Sequence, residues 1–438
     1  LDNFKIRLSA GSMGNGNVSP YSYTSEMTVS TADDIVLGGS YPSYTSVGST
    51  VPVSLTWEKS TTYDVGLDLD FFNNRLSVSG DYYRRYTTDM YTASVALPAV
   101  YGTGSPKGNN AEMKTDGWEL SLSWRDSFKL GGKPFDYSIK AMVWDSKSVI
   151  TKYVNDTGSL GTVKGFIENG GSPSSYYVGM TVGEIWGYTV AGLFRDQADI
   201  DSSAIHDFVQ ASDKVTRPGQ VKIADLDGNG FIDPGNFAVD DHGDLRIIGN
   251  QSPRYRYGVN LSARWNGIGL SVFLQGVGAR DWYPGSDAGM FWGKYGRPFF
   301  ALIPSIHNYT DDMYSAERNN WDTAYWPRMT TYQSNGTKNW TRLLEIPNTR
   351  YIQSAAYLRV KNIQLDYSFP KHICSAIRLQ GLKIYVNAEN LFTFTPLHKY
   401  APNFDPEGLS YDSDFASAAD GYTYPILKSV TVGVNITF

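Results

Sequence analysis

Ten stretches of the chain set an apolar side chain at every second residue. The clearest pair runs from Trp57 to Tyr91. On its first arm Tyr63, Val65, Leu67, Leu69 and Phe71 share one parity, and Asp64, Gly66, Asp68 and Asp70 take the other. After Asn73-Asn74 the alternation resumes, with Leu76, Val78, Gly80 and Tyr82 against Ser77, Ser79, Asp81 and Tyr83. A period of two marks an extended strand with two unlike faces. Each arm is roughly fifteen residues, or about 50 Å at ~3.3 Å per residue, against about five or six residues for an ordinary globular strand. A strand that crosses a bilayer at a tilt and projects beyond it accounts for such length.

The pattern predicts strands near 3–12, 57–71, 75–91, 111–127, 135–154, 254–265, 268–280, 357–369, 382–395 and 424–438. Short turns near 73, 130, 266 and 375 alternate with long connections at 13–54, 93–110, 155–253, 281–354 and 396–423. Unequal connections on the two rims are the mark of an outer-membrane barrel, short in the periplasm and long outside the cell. The expected fold is all-β, a transmembrane antiparallel up-and-down β-barrel with the apolar parity toward lipid and the polar parity toward a wet lumen. Trp57, Trp118, Trp265 and Tyr357 lie near strand ends, where interfacial aromatic girdles sit.

Composition sharpens this picture. The 438 residues include 31 Tyr, 20 Phe and 11 Trp, with 19% charged residues. No run of eighteen apolar residues is present, so transmembrane helices are excluded. A net charge of −6 gives no basis for binding nucleic acid. Cys374 is the single cysteine, which excludes disulfides and thiolate metal sites, and it is expected as a small hydrophobe in a turn. Ten strands are few for excursions of this length, and an open sheet edge in lipid leaves costly unpaired backbone groups. The segment LDNFKIRLSAG also lacks an initiator Met and a signal peptide. The chain is therefore expected to be the last part of a longer barrel.

Several segments resemble the SusC/RagA family of TonB-dependent outer-membrane transporters. They are Trp57-Glu58-Lys59-Ser60-Thr61 leading into FFNNRLSVSGDYYRR, Asp225-Leu226-Asp227-Gly228-Asn229-Gly230-Phe231-Ile232-Asp233, Ile248-Gly249-Asn250 ahead of YGVNL and SVFLQG, Tyr357-Leu358-Arg359-Val360-Lys361-Asn362, Asn390-Leu391-Phe392-Thr393 followed by Asp405-Pro406-Glu407, and YPILKSVTVGVNITF. Each is weak alone, and their shared order across the chain is specific. The resemblance implies a plugged barrel of about 22 strands, of which these would be the last ten. It implies a TonB box and plug domain preceding them, and a terminal Phe438 read by the barrel-assembly machinery. It also implies import of an oligomeric nutrient, most often a glycan and otherwise a peptide, with a SusD-like lipoprotein and pairing of two such complexes. Siderophore or vitamin receptors, and passive porins or surface-binding scaffolds, are the alternatives.

Two groups of residues are candidates for chemistry. Asp225, Asp227, Asn229, Gly230 and Asp233 fit positions 1, 3, 5, 6 and 9 of a calcium loop, with the Phe231 carbonyl at position 7. Hard oxygens at alternate residues suit Ca²⁺, while position 12 is Asn236 and not the usual Glu, so Asp240, Asp241 or Asp244 is needed to complete the set. Trp282, Tyr283, Phe291, Trp292, Tyr295, Trp321, Tyr325 and Trp326 crowd one long connection, either as sugar-gripping rings or as packing within the loop. No catalysis is expected: the five histidines, His206, His242, His307, His372 and His398, are scattered. Asp64, Asp68, Asp70, Asp81 and Glu119 are read as solvated carboxylates, or as partners of Arg85 and Arg125, on a polar wall.

Overall fold

The computed structural model describes residues 1–16, 27–48, 55–93, 107–161, 175–206, 215–284, 289–292, 312–328, 346–409 and 426–438, with the single positions 24, 100 and 173. Its frame is one ten-stranded antiparallel sheet. The strands are β1 (Asn3–Asn15), β2 (Glu58–Phe71), β3 (Leu76–Ala93), β4 (Lys107–Leu130), β5 (Lys133–Lys152), β6 (Arg254–Trp265), β7 (Ile268–Ala279), β8 (Tyr357–Ser368), β9 (Gly381–Phe394) and β10 (Ser429–Thr437). Every strand pairs with its neighbour in sequence, so the sheet is a meander. β1 and β10, at the two ends of this order, do not pair with each other.

Turn chemistry fixes the register. Asn266 and Gly267 both have positive φ, 50° and 87°, as a tight hairpin between right-twisted strands requires. Phe72, Asn73 and Asn74 do the same at the tip of β2 and β3, at 59°, 57° and 61°. β4 is longer than its alternation suggested, and β10 is shorter than 424–438, of which 424 and 425 lie outside the described residues. The segment expected as a plain turn at Pro370–Ile377 holds a short helix, Lys371–Ala376, which buries the free thiol of Cys374.

The pairing lines up like with like. Val78 stands opposite both Leu69 and Leu122, and Leu122 opposite Ala141. Across β9 and β10, Ile384, Val386 and Ala388 face Val434, Val432 and Val430. Much of this band stays open: Leu122 is 41% exposed and Val432 72%. An apolar band this continuous is unstable in water and at ease in hydrocarbon.

Aromatic contacts border the band on the short-turn rim, among them Phe72 with Trp124 at 6.2 Å and Phe128 with Phe135 at 5.0 Å. Trp124 Nε1 donates to Tyr137 Oη and Trp265 Nε1 to the Leu130 carbonyl, so neither indole N–H is left unpaired. On the other rim the outward parity turns polar above Trp118, where Arg84 Nε meets Asp116 at 2.5 Å. The ten residue steps from Trp118 to Phe128 span about 33 Å of strand, or about 25 Å of height at the usual tilt. Leu122→Lys therefore destabilises the full-length barrel by about 2–4 kcal/mol in equilibrium unfolding from bilayers, while Ser123→Lys on the opposite parity costs far less.

The opposite face is polar and built of side-chain ladders. Arg7 Nε lies 2.9 Å from Asp68 and its Nη1 2.7 Å from Asp81. Arg7, Gly66 and Asp81 share one row, and a Cβ on Gly66 would sit 2.3 Å from Asp81 Oδ1 and 2.7 Å from Arg7 Cζ. The missing side chain makes room for this pairing. Arg7, and not Arg85 or Arg125, is thus the partner of these carboxylates; Arg85 bonds Thr62 and Arg125 the Asn74 carbonyl.

The long connections are not the plain excursions their composition suggested. They carry small two-stranded sheets, including Glu184–Gly187 with Arg246–Asn250 and Val190–Leu193 with Val221–Ile223. The buried hydrophobic core of the chain lies in this loop layer, where Leu160, Ile185, Trp282, Trp292, Tyr351 and Leu397 are fully covered.

Candidate functional site

The calcium-loop pattern folds as a compact acidic turn. Asp225 accepts the amides of Gly228 and Gly230, Asp227 that of Asn229, and Asn229 Oδ1 that of Phe231. These amide contacts, led by Gly230, hold the Asp225 carboxyl below its ordinary range. Gly228 and Gly230 both take positive φ, 76° and 85°, at the bends. Asp233 turns back on the Gly235 amide and on Asn229 Nδ2. The carboxylate brought to Asp225 and Asp227 is Asp244, and ligand oxygens of the three lie within 4.8 Å of one another. Asp244 is fully buried, accepting Leu226 N at 2.6 Å and Asp233 N at 3.2 Å, and burial raises its pKa. Asn236, at position 12, bonds instead to Asp241.

The aromatic candidates form a packed cluster. Trp282, Tyr283, Phe291 and Trp292 are each 0% exposed and Trp326 1%. Trp292 meets Phe291 edge-on at 4.8 Å and Tyr351 at 5.5 Å, while Trp326 stacks on Tyr351 at 5.6 Å. A ring covered on all sides has no face left for a sugar. Trp321 and Tyr325 keep partial exposure, and Tyr325 stacks flat on Tyr400, with ring centroids 3.7 Å apart. Tyr295 lies outside the described residues.

One arrangement was invisible in the alternation. Arg359, nearly fully buried, holds Asp405 at 2.7 Å and Glu407 at 2.5 Å, and its Nε donates to Thr393. Lys361 and the Tyr357 hydroxyl also reach Glu407. Arg280 donates to the carbonyls of Pro406 and Leu409. This clamp ties residues 396–409 to β8, and Phe404 packs 4.9 Å from Trp282. Both motifs, YLRVKN and DPE, stood out in sequence, but nothing there showed that they meet.

His206 is also built in. Its Nδ1 lies 2.7 Å from the Ala204 carbonyl, and Nε2 accepts the Ile223 amide at 2.9 Å. Burial depresses its pKa below the ordinary value, so the folded state holds it neutral. The unfolded chain takes up the proton first, at about pH 6.5. The stability contributed by neutral His206 is complete above that pH and is lost as pH falls below it. Protection factors at 204–206 and 215–223, corrected for the pH dependence of intrinsic exchange, therefore fall between pH 7.5 and 5.5, and His206→Gln flattens that difference.

A meander of long strands, greasy on one face and wet on the other, defines an outer-membrane β-barrel. The chain belongs to the TonB dependent receptor-like, beta-barrel family, whose model matches residues 1–229. Among its relatives is TonB-dependent receptor P3 of Formosa agariphila, 26% identical over the whole chain and 40% of that protein. TonB-dependent receptor SusC of Bacteroides thetaiotaomicron is 24% identical over the whole chain and 38% of that protein. Among solved structures, the RagAB peptide importer in its open-open state superposes on the whole chain and 40% of its counterpart, with a TM-score of 0.67 and 19% identity. The chain is SusC/RagA-like and spans about two fifths of the length of these relatives.

Proposed function

We propose that this chain is the C-terminal barrel portion of a transporter that imports an oligomeric nutrient through the outer membrane by TonB coupling. The observation that carries this reading is the two-faced ten-stranded sheet with a folded layer over its long-loop rim. In this reading the short-turn rim faces the periplasm, the loop layer faces outward, and a SusD-like lipoprotein closes over it. An oligosaccharide is the first candidate cargo, supported by the Tyr325, Tyr400 and Trp321 rings, which are only partly covered where they edge the core. A peptide is the second, favoured by the likeness to the RagAB peptide importer.

The test is uptake by cells carrying the full-length protein, with and without functional TonB. Oligosaccharide uptake that stops without TonB supports the reading, and uptake that persists marks a passive porin. Failure of any lipoprotein to co-purify with the native complex turns the reading toward a siderophore or vitamin receptor.

We further propose Ca²⁺ as a structural ion of the acidic turn. The donor set is all oxygen, without His or Cys, which suits a hard cation. Asp225, Asp227 and Asp244 would hold it, with Asn229, the Phe231 carbonyl and Asp233 completing the shell. The ion would neutralise three converging carboxylates and pin the loop. Chelator added to the full-length protein is expected to speed hydrogen exchange at 225–244, with recovery on Ca²⁺ but not Mg²⁺; unchanged exchange rejects the ion.

A further inference from the structure

The polar wall of the sheet is not evenly charged. On β5 and β6 the residues opposite in parity to the apolar band include Lys140, Arg256 and Arg264. Lys140 stands across from Asn260, which lies midway between the two arginines on β6. At ~3.3 Å per residue the three cations follow one column at intervals of about 13 Å and span about 26 Å of strand, or about 20 Å of height at the usual tilt, roughly two thirds of the hydrocarbon core.

All three are exposed, and none makes an ion pair or side-chain hydrogen bond with a described residue. Lys140 is flanked by the uncharged Ser123 and Asn260. Three carboxylates lie near the column: Asp136 across from Arg264, Asp366 in the row of Gly269 and Arg264 but held by Lys383 at 3.1 Å, and Glu119, which shares the row of Trp144 with Arg256. Elsewhere on the wall the principal acids, Asp68 and Asp81, are already held by Arg7.

We infer that Lys140, Arg256 and Arg264 form an anion-guiding stripe on the solute path, and that the cargo is an oligosaccharide bearing carboxylate or sulfate groups. This rests on the import reading above and narrows its substrate class. Rows of Arg and Lys select anions in pores, and one-signed walls raise the local concentration of the opposite charge. Unpaired cations repeated at intervals suit a polymer whose charges also recur along its length.

The rest of the stripe favours sugars over peptides. Ser138 and Ser262 bond to each other at 2.8 Å beside it, and Asn260 continues the polar row. The Phe273 ring lies 3.5 Å from where a Cβ on Gly258 would stand, which sets an aromatic face between Arg256 and the level of Lys140. Hydroxyls and amides with a ring face match a hydroxyl-rich chain.

The test uses cells expressing the full-length protein, offered a defined mixture of neutral oligosaccharides, uronate-bearing oligosaccharides, and neutral and acidic peptides. Periplasmic extracts are read by mass spectrometry. Wild type is expected to import the uronate-bearing members preferentially. The triple variant K140Q/R256Q/R264Q is expected to lose that import about tenfold, in the range of electrostatic steering, with neutral import unchanged. The charge-conserving K140R/R256K/R264K variant restores it and shows that the wall still folds. Equal loss of neutral and acidic sugars, no loss at all, or wild-type preference for neutral sugars or for peptides overturns the stripe while leaving import standing. Absence of any import by wild type overturns the import reading, and the stripe with it.

Discussion

Arg359→Met is expected to release residues 396–409 from β8 and to destabilise the loop layer by about 3–5 kcal/mol. The guanidinium is buried between Asp405 and Glu407. Removing it leaves two carboxylates in a covered site, with Lys361 still paired to Glu407 and Arg280 engaged by the Pro406 and Leu409 carbonyls. The loss comes from stranded charge more than from lost attraction, since a buried pair is itself close to break-even. Adding Asp405→Asn and Glu407→Gln to Arg359→Met therefore recovers part of the stability, although each acid replaced alone in wild type weakens it. Hydrogen exchange checks this: amides of 396–409 exchange faster in the single variant, while those of β2 to β5, far along the meander, do not change.

Trp326→Ala carries a comparable penalty for a different reason. The indole is almost wholly covered and touches Phe291, Trp292, Tyr325 and Tyr351. Deleting a buried indole costs about 3–5 kcal/mol, because its neighbours cannot close the cavity. The Tyr325–Tyr400 stack loses one of its supports, so the variant should lose cargo binding together with loop order. Tryptophan fluorescence and thermal melting of the full-length protein follow the order. Trp321→Ala, at a partly exposed ring on the edge of the same core, is the graded control and lowers the melting point by less than Trp326→Ala does.

The strands were legible because the alternation is long and uninterrupted. β6 begins and ends where the pattern put it, at Arg254 and Trp265, because Asn266-Gly267 fixes one end. The loop layer was not legible. Its core draws single side chains from distant segments, such as Tyr188, Trp282 and Leu397, and no local period connects them. The Arg359 clamp joins residues about forty-six apart in sequence. For the acidic turn, the ligand spacing was visible in DLDGNGFID, whereas the choice of Asp244 over Asp240 and Asp241 depended on how the chain returns beneath Leu226. Arg7 as the partner of Asp68 and Asp81 likewise depended on strand register and on the bare backbone at Gly66.

The direction in which the two parities point is the claim on which the rest stands. Cys374 is the single cysteine of this chain and is buried, so, with any cysteine elsewhere in the full-length protein replaced, cysteines introduced at Leu67, Leu122 and Val432, and at Asp68, Ser123 and Thr431, can be labelled one at a time with a fluorophore. The full-length protein is then reconstituted in bilayers containing nitroxide-bearing lipid. Strong quenching at the first three positions and little at the second three is the predicted result. Quenching at Asp68, Ser123 and Thr431 with Leu67, Leu122 and Val432 spared would contradict it.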